Sequence, residues 1–430
     1  MAVNTREEVL KALVKIEKDE IFSNTAMKQM LSAVKDEQEK NFAAGLLMGI
    51  LQNRIRLDNI IGQFSKIKRR KMSVWICNIL RMGIYQILDM QVPSHAACNE
   101  CVKLARRYGH TASAGFVNGV LRAAARNPEA IRIPPKENAV PYFSFTYSCP
   151  EWMAEKLLKQ YGFDETEKIL GAYHKIYPPT VRTNLLKTTP EELKKRLETE
   201  GKKITIDKKL PYALHVEGRL NLEYSEAYQQ GLYTLQNINS MYAAEILSPQ
   251  PGETVMDLCA APGGKTTHIA EKMQDRGEVL AFDIYPHKIA LIEHAARRLG
   301  ISCIRAEMGN AEETKAEYLE KADRVLLDAP CSGLGVIQKK PDICWRRREE
   351  DIAALAGVQK RMLDTAAGYV KKNGVLVYST CTILKEENEE QIEKFLLAHP
   401  EFEKCEAHLY HTYTNGGSGF YICKMQKTGR

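Results

Sequence analysis

From about Leu232 onward, short apolar runs alternate with stretches of helical period. Strands that alternate with helices in this way build a parallel sheet with crossover connections. This pattern constrains the chain more than any other feature, because ligands of such open sheets sit beyond the carboxyl ends of the strands. The search for function narrows to a few strand ends.

Thr254-Val255-Met256-Asp257-Leu258 reads as one such strand. Cys259-Ala260-Ala261-Pro262-Gly263-Gly264-Lys265 follows it, with a helix expected from Thr266. A small-residue turn between a strand and a helix N-terminus lets a ligand approach the backbone closely. Gly264-Lys265-Thr266 matches the end of a phosphate-binding P-loop, but Cys259 stands where that motif requires glycine. The adjacent Gly263-Gly264 pair does not supply the G-x-G-x-x-G spacing of a dinucleotide site. S-adenosylmethionine carries no pyrophosphate and needs only the close approach. The next strand, Val279-Leu280-Ala281-Phe282, ends in Asp283, about twenty residues beyond the glycines, where an acid can accept both ribose hydroxyls.

Two further strands end in cysteine-bearing turns. Arg324-Val325-Leu326-Leu327 runs into Asp328-Ala329-Pro330-Cys331-Ser332-Gly333, and Val375-Leu376-Val377-Tyr378 runs into Ser379-Thr380-Cys381-Thr382. The topology brings both thiols, Asp328 and the Gly263 turn to one mouth. Eleven cysteines in 430 residues are too dilute for a disulfide scaffold, so these read as free thiols. Methylation of cytosine C5 needs such a thiol. That carbon is a poor nucleophile until a thiolate adds to C6 and makes the ring enamine-like; loss of the C5 proton then expels the thiol. At an ordinary pKa of about 8.5 a cysteine is only a few per cent ionised at pH 7, a penalty of roughly 2 kcal/mol. A sulfonium and Lys265 would reduce it. Asp328 is placed to hydrogen-bond the N3 side of the base, as a donor if it is protonated. An exocyclic-amine methyltransferase would instead show an [ND]-P-P-[YF] turn, which Asp328-Ala329-Pro330-Cys331 is not.

The N-terminal part has another character. Residues 1–130 carry 20 Lys and Arg against 12 Asp and Glu, whereas the remaining 300 carry 41 against 42. Charge concentrated in one third of a chain suggests a polyanionic partner. The pattern predicts helix after helix over 5–125, opened by a capping box of Thr5 and Glu8, with apolar stretches from Phe42 to Leu57, Trp75 to Leu88 and Ala112 to Ala125. The basic candidates for RNA contact are Lys66, Lys68, Arg69, Arg70, Lys71, Arg106, Arg107 and Arg122. Cys98 and Cys101 form a lone C-x-x-C inside a helical pattern, without the second pair a zinc site needs. No metal is expected. Pro128, Pro134, Pro135, Pro141 and Pro150 mark a linker. Helices over 151–161 and 190–200 and strands over 180–184 and 213–216 then make a small α/β unit. No apolar run reaches the ~18 residues of a membrane span, and acids stand where a signal peptide needs an apolar core, so the expected location is the cytoplasm.

Together with Lys340-Pro341-Asp342-Ile343 and Glu386-Glu387-Asn388, the strand-end motifs resemble the RNA cytosine-C5 methyltransferases. Val92-Pro93-Ser94-His95-Ala96-Ala97, Arg107-Tyr108-Gly109-His110 and the run from Gly115 to Arg122 resemble the NusB-like RNA-binding domain. The resemblance covers nearly the whole chain and implies a bacterial 16S rRNA methyltransferase with S-adenosylmethionine as cofactor. The implied fold is multidomain: an all-α NusB-like domain over 1–130, a linker over 131–150, a small α/β subdomain over 151–235, and a Rossmann-like α/β methyltransferase domain over 236–430. By the same resemblance Cys381 is the nucleophile and Cys331 assists release of the adduct. Cofactor contacts fall on Cys259, Ala260, Ala261, Pro262, Gly263, Gly264, Lys265, Asp283, Asp328 and Asn310, the last where the family usually has Asp. The implied target is cytosine 967, and the implied state is a monomer that binds 16S rRNA. Two alternatives stay open: the same reaction on tRNA, and a non-catalytic RNA-binding factor. The intact pair Cys331 and Cys381 argues against the second.

Overall fold

The computed structural model describes residues 4–218, 220–414 and 418–429. It divides into two compact units, one made of residues 1–174 with 337–346, the other of residues 175–336 with 347–430.

The first unit is helical. Helices Thr5–Lys18, Ser23–Ala33, Glu37–Gln52, Arg54–Phe64, Val74–Leu88, Ser94–Tyr108 and Ser113–Arg126 enclose a core that includes Leu10, Leu46, Leu47, Leu57, Ile79, Leu80, Val117 and Leu121. Burying each such side chain stabilises the unit by about 2 kcal/mol. The first helix is capped by Asn4, whose side chain accepts from the Glu7 N–H, and not by Thr5, which is already helical. The expected stretch from Phe42 to Leu57 is broken at Asn53, where one helix ends and the next begins. Arg81, 1% exposed, is satisfied by Asp58 at 2.7 and 2.9 Å, Glu17 at 2.7 Å and Asn78 at 2.9 Å. Where prolines suggest a linker over 131–150, the chain forms a helix, Ala139–Thr146, with Phe143 and Phe145 buried. The following helix, Glu151–Ala172, is interrupted at Gly162, whose φ of +76° only glycine adopts readily. Residues 337–346, expected within the methyltransferase domain, also pack in this unit. Ser23 Oγ donates to Asp342 at 2.5 Å, Arg346 donates to the Glu20 and Ile21 carbonyls, and Arg54 lies over the Trp345 ring.

The second unit holds two sheets. Strands β1 (Thr180–Thr183), β2 (Lys203–Ile206), β3 (Ala213–Glu217) and β4 (Tyr233–Leu235) form an antiparallel sheet in the order β2-β3-β1-β4. Helix Pro190–Thr199 covers it through Leu193 and Leu197, and starts at a full capping box of Thr189 and Glu192.

Strands β5 (Thr254–Asp257), β6 (Glu278–Asp283), β7 (Ile304–Met308), β8 (Ala322–Asp328), β9 (Val370–Thr380), β10 (Phe402–Tyr410) and β11 (Phe420–Lys427) form the large sheet, ordered β10-β11-β9-β8-β5-β6-β7. The five strands from β9 to β7 are parallel, and β11 and β10 add an antiparallel edge. Alternate residues serve opposite faces. Val325, Leu327, Leu376 and Tyr378 join one core, while Leu326, Val375 and Val377 join the other. The chain runs outward from β5 through β6 to β7, then returns to place β8 on the other side of β5. That reversal opens the crevice in which open α/β sheets hold their ligands.

Candidate active site

The strand ends at this crevice carry the expected residues. Asp283 closes β6 and Asp328 closes β8, while Cys381 follows the last residue of β9. Register sets Asp328 opposite Ser379. Beyond them the two turns meet, and Cys331 Sγ lies 3.2 Å from Cys381 Sγ.

Two layers hold this pair. Above β8, both oxygens of Asp328 are engaged: Lys265 Nζ donates to Oδ2 at 2.7 Å and Ser379 Oγ to Oδ1 at 2.7 Å. Facing an ammonium and a hydroxyl donor, Asp328 acts here as an acceptor. Lys265 also lies over the Phe420 ring at 5.1 Å. Burial works against its charge, but Asp328 outweighs that and holds the ammonium above its usual range. Behind the cysteines, Ala329 N–H donates to the Ser379 carbonyl and Gly335 N–H to the Cys381 carbonyl, both at 2.9 Å. Arg347 donates to the Cys331 and Ser332 carbonyls at 3.3 and 3.2 Å.

The two thiols are not equivalent. The hydrogen bond to Cys381, burial, and the nearby charges of Glu387 and Asp328 all push the Cys331 thiol well above the usual cysteine range. Cys331 is at the margin of full burial and Cys381 is more open. Either sulfur can carry the proton of this contact, and Cys381 is the more exposed of the two. A cationic neighbour favours a thiolate, and the charge of Lys265 is coupled to that of Cys381.

The turn from Cys259 to Lys265 lies against Asp283, which accepts the Ala261 N–H at 3.3 Å and the Ile284 N–H at 2.8 Å and pairs with Lys288 at 3.1 Å. Gly263 adopts φ +102°, and a Cβ there would stand 3.3 Å from Ile292 Cα. Glycine thus serves both the turn and the close helix behind it. Beneath it Asp257, 1% exposed, accepts from Thr266 at 2.7 Å, and burial pushes its carboxyl up to about 6. The helix that begins at Gly264 is anchored by Arg182 of β1, a residue that sequence reasoning misses. Its guanidinium is buried and donates to both Glu271 oxygens at 2.9 and 3.0 Å, to Thr267 at 2.9 Å, to the Gly264 carbonyl at 2.7 Å, and to Gln236. Past the ends of β5, β6 and β7, Leu258, Phe282, Ala311, Tyr318 and Tyr369 line an apolar recess beside Asn310. Asn310 is engaged locally, accepting from the Glu312 N–H and donating to Glu313.

A family model described as 16S rRNA methyltransferase RsmB/F matches residues 244–424. The NusB family matches 3–126, and the ferredoxin-like domain of RsmF/B-like methyltransferases matches 149–223. A Bacillus subtilis protein described as "Probable ribosomal RNA small subunit methyltransferase B" is 36% identical over 99% of both chains. The ribosomal RNA small subunit methyltransferase B of Proteus mirabilis is 32% identical, again over 99% of both. The chain belongs to the ribosomal RNA small subunit methyltransferase B family. Among solved structures, the crystal structure of PH0851 superposes with a TM-score of 0.85 at 28% identity, covering 99% of this chain and all of that one.

The cofactor of this methyltransferase B family is S-adenosylmethionine, and the residues present fit it. An acid stands at the end of β6 for ribose hydroxyls, an apolar recess lies beside it for a purine, and the glycine turn leaves backbone open to approach. Among the described residues no cluster of His, Cys, Asp and Glu could hold a metal ion, and no helix is long and apolar enough to cross a membrane. Cys98 and Cys101 pack in the helical core, where burial pushes the Cys101 thiol up to about 12.

The basic candidates of the N-terminal unit divide by their partners. Lys66, Lys68, Arg70, Lys71, Arg106 and Arg122 are exposed. Arg69 is shared with Asp58 at 3.5 Å and Glu17 at 3.9 Å, and Arg107 is paired with Glu7 at 2.7 Å.

Proposed function

We propose that this rRNA methyltransferase makes 5-methylcytosine in 16S rRNA through a covalent bond between Cys381 and C6 of the target cytosine. The observation that carries this reading is the sulfur pair 3.2 Å apart at the sheet edge, with Lys265 and Asp328 beside it. A reaction at an exocyclic amine gives no reason for two thiols in contact.

In this reading the Cys381 thiolate adds to C6, and the electrons of the C5–C6 double bond become available at C5. Bound S-adenosylmethionine supplies an electrophilic methyl group. After transfer a solvent water takes the C5 proton, the electrons of the C5–H bond re-form the C5–C6 double bond, and the C6–sulfur bond breaks with its electron pair returning to Cys381 as thiolate. Cys331, whose sulfur lies against that of Cys381, assists that release. Lys265 favours the thiolate and orients Asp328. The carboxylate of Asp328, already accepting from Lys265 and Ser379, has acceptor capacity left for the amino group of the base. Residues Cys259 to Lys265 with Asp283, Asn310 and Asp328 would hold the cofactor.

A target in folded rRNA must be turned out of its stack, at a cost of a few kcal/mol. Exposed Lys66, Lys68, Arg70, Lys71, Arg106 and Arg122 supply phosphate contacts that offset it. The test is Cys331→Ala incubated with 16S rRNA and S-adenosylmethionine. A denaturation-resistant protein–RNA adduct accumulates, and it disappears when Cys381→Ala is added. No adduct would sink the assignment. Bisulfite sequencing of 16S rRNA with and without the protein locates the mark and tests whether it is cytosine 967; a mark found on tRNA instead would establish the alternative substrate.

A further inference from the structure

The motif Glu386-Glu387-Asn388 has no part in the chemistry above, yet it lies at the centre of a fully buried network. Glu387 is 0% exposed, and no lysine or arginine pairs with it among the described residues. Burying a carboxylate without a cation costs several kcal/mol unless its oxygens are occupied by donors. Here they are. Ser332 N–H donates to Oε1 at 2.8 Å, Ser332 Oγ to Oε2 at 2.5 Å, and Gln359 Nε2 to Oε1 at 3.0 Å. Its own carbonyl accepts the Tyr378 hydroxyl at 2.7 Å.

The donors flank one cysteine and connect to the neighbours of the other. Ser332 follows Cys331, and Gln359 also donates to the carbonyl of Pro330, which precedes it, at 3.0 Å. Ser332 Oγ lies 2.8 Å from Thr382 Oγ1, the residue after Cys381. Asn388 completes the second side, accepting from Thr380 Oγ1 at 2.6 Å and donating to the Thr382 carbonyl at 3.2 Å. Ser332, Thr380 and Thr382 are thus bonded directly to one two-residue element, and Pro330 is reached from it through Gln359. An apolar side chain would fill this volume at less cost in desolvation, but it would not clamp two turns from different strands to each other.

We propose that Glu387, with Asn388, is a positioning residue that sets the separation of the two sulfurs, and so couples adduct formation at Cys381 to release assisted by Cys331. The inference rests on the covalent reading above. The charge of Glu387 acts in the same sense, since it disfavours a second thiolate at Cys331.

The experiment uses the full-length protein, 16S rRNA and S-adenosylmethionine, with Glu387→Ala, Glu387→Gln and Ser332→Ala. The readouts are kcat, the KM for S-adenosylmethionine, the melting temperature and the ratio of trapped adduct to methylated product. A misplacement of about 1 Å at reacting groups costs about a hundredfold. Glu387→Ala is therefore expected to lower kcat by about that factor, raise the adduct-to-product ratio and leave the KM for the cofactor within about threefold. Glu387→Gln keeps an acceptor for Ser332 and recovers about tenfold of the loss. Wild-type kcat in Glu387→Ala, or an equal loss in kcat and cofactor binding, overturns the inference. If that variant does not fold, Ser332→Ala decides: it removes one donor and the link to Thr382, and an unchanged kcat and adduct ratio overturns the inference. Cys331→Ala runs in parallel. If it traps no adduct, the covalent reading fails and takes this inference with it. If it traps adduct while the Glu387 variants turn over like wild type, only this inference falls.

Discussion

The Lys265 ammonium is held 2.7 Å from the Asp328 carboxylate, so the turn after β5 is tied to the strand end that leads into Cys331. Two motifs 63 residues apart thereby share one ion pair. Asp328 supports the charge of Lys265, and removing either leaves the other without its partner in a partly buried site.

Lys265→Met withdraws a cation that favours the Cys381 thiolate. Methylation at pH 7 is expected to fall at least about tenfold, and part of the loss should return as the pH is raised and the thiol ionises without help. A pH–rate profile decides: a loss of the same factor at every pH would mean that Lys265 does not act on the nucleophile.

Arg182→Met strands the Glu271 carboxylate in the core and leaves the Gly264 carbonyl at the cofactor turn without its 2.7 Å donor. Breaking a buried pair by removing one partner costs about 3–5 kcal/mol. Chemical denaturation should show a loss of that order. Calorimetry should show weaker S-adenosylmethionine binding in whatever fraction stays folded. Wild-type stability would contradict the buried network.

Asp257 carries a pH signature. Its carboxyl is pushed up to about 6 by burial, against about 3.9 in an unfolded chain. The folded state binds this proton more tightly, so the group's contribution to stability is greatest below about pH 4 and is lost as pH rises through about 6. The loss is on the order of 3 kcal/mol. Asp257→Asn keeps an acceptor for Thr266 and should remove this slope. The check is the difference in unfolding free energy between wild type and variant from pH 4 to pH 7; a flat difference refutes it.

The basic run should act through salt. Replacing Lys68, Arg70 and Lys71 by glutamine is expected to weaken RNA binding. The slope of log affinity against log salt should fall by about 0.7–0.9 for every phosphate no longer neutralised, with kcat at saturating RNA unchanged. Arg107→Gln should do less, because Arg107 is already neutralised by Glu7. Filter binding at several salt concentrations separates the two; equal effects would show that exposure does not select the contacts.

The legible parts of this molecule are those written in local pattern. Asp283, Asp328 and Cys381 stand at strand ends because alternating strands and helices put them there, and the sheet brings them to one edge. Glu387 is visible only as part of a motif without a role, and Arg182 is not visible at all, because their partners are remote: Ser332 lies 55 positions from Glu387 and Glu271 lies 89 from Arg182. Nothing in the spacing of those pairs marks them. The cap at Asn4 is easily misread as Thr5 because both residues can cap, and only the backbone shows which one stays outside the helix. The helix inside the proline-marked stretch is hidden because breakers at 134, 135, 141 and 150 mask the two phenylalanines it buries.

The excursion of residues 337–346 into the helical unit has a consequence for anyone dissecting the protein. The polypeptide passes between the units three times, the last two within sixteen residues after Cys331. No single scission yields two self-sufficient fragments. A fragment begun at Lys175 would carry a ten-residue loop bereft of Ser23 and Arg54, and on its return that loop leads straight into the arginine that grips the Cys331 and Ser332 carbonyls. Loss of activity in such a truncation would report damage to the reaction centre as readily as loss of RNA capture.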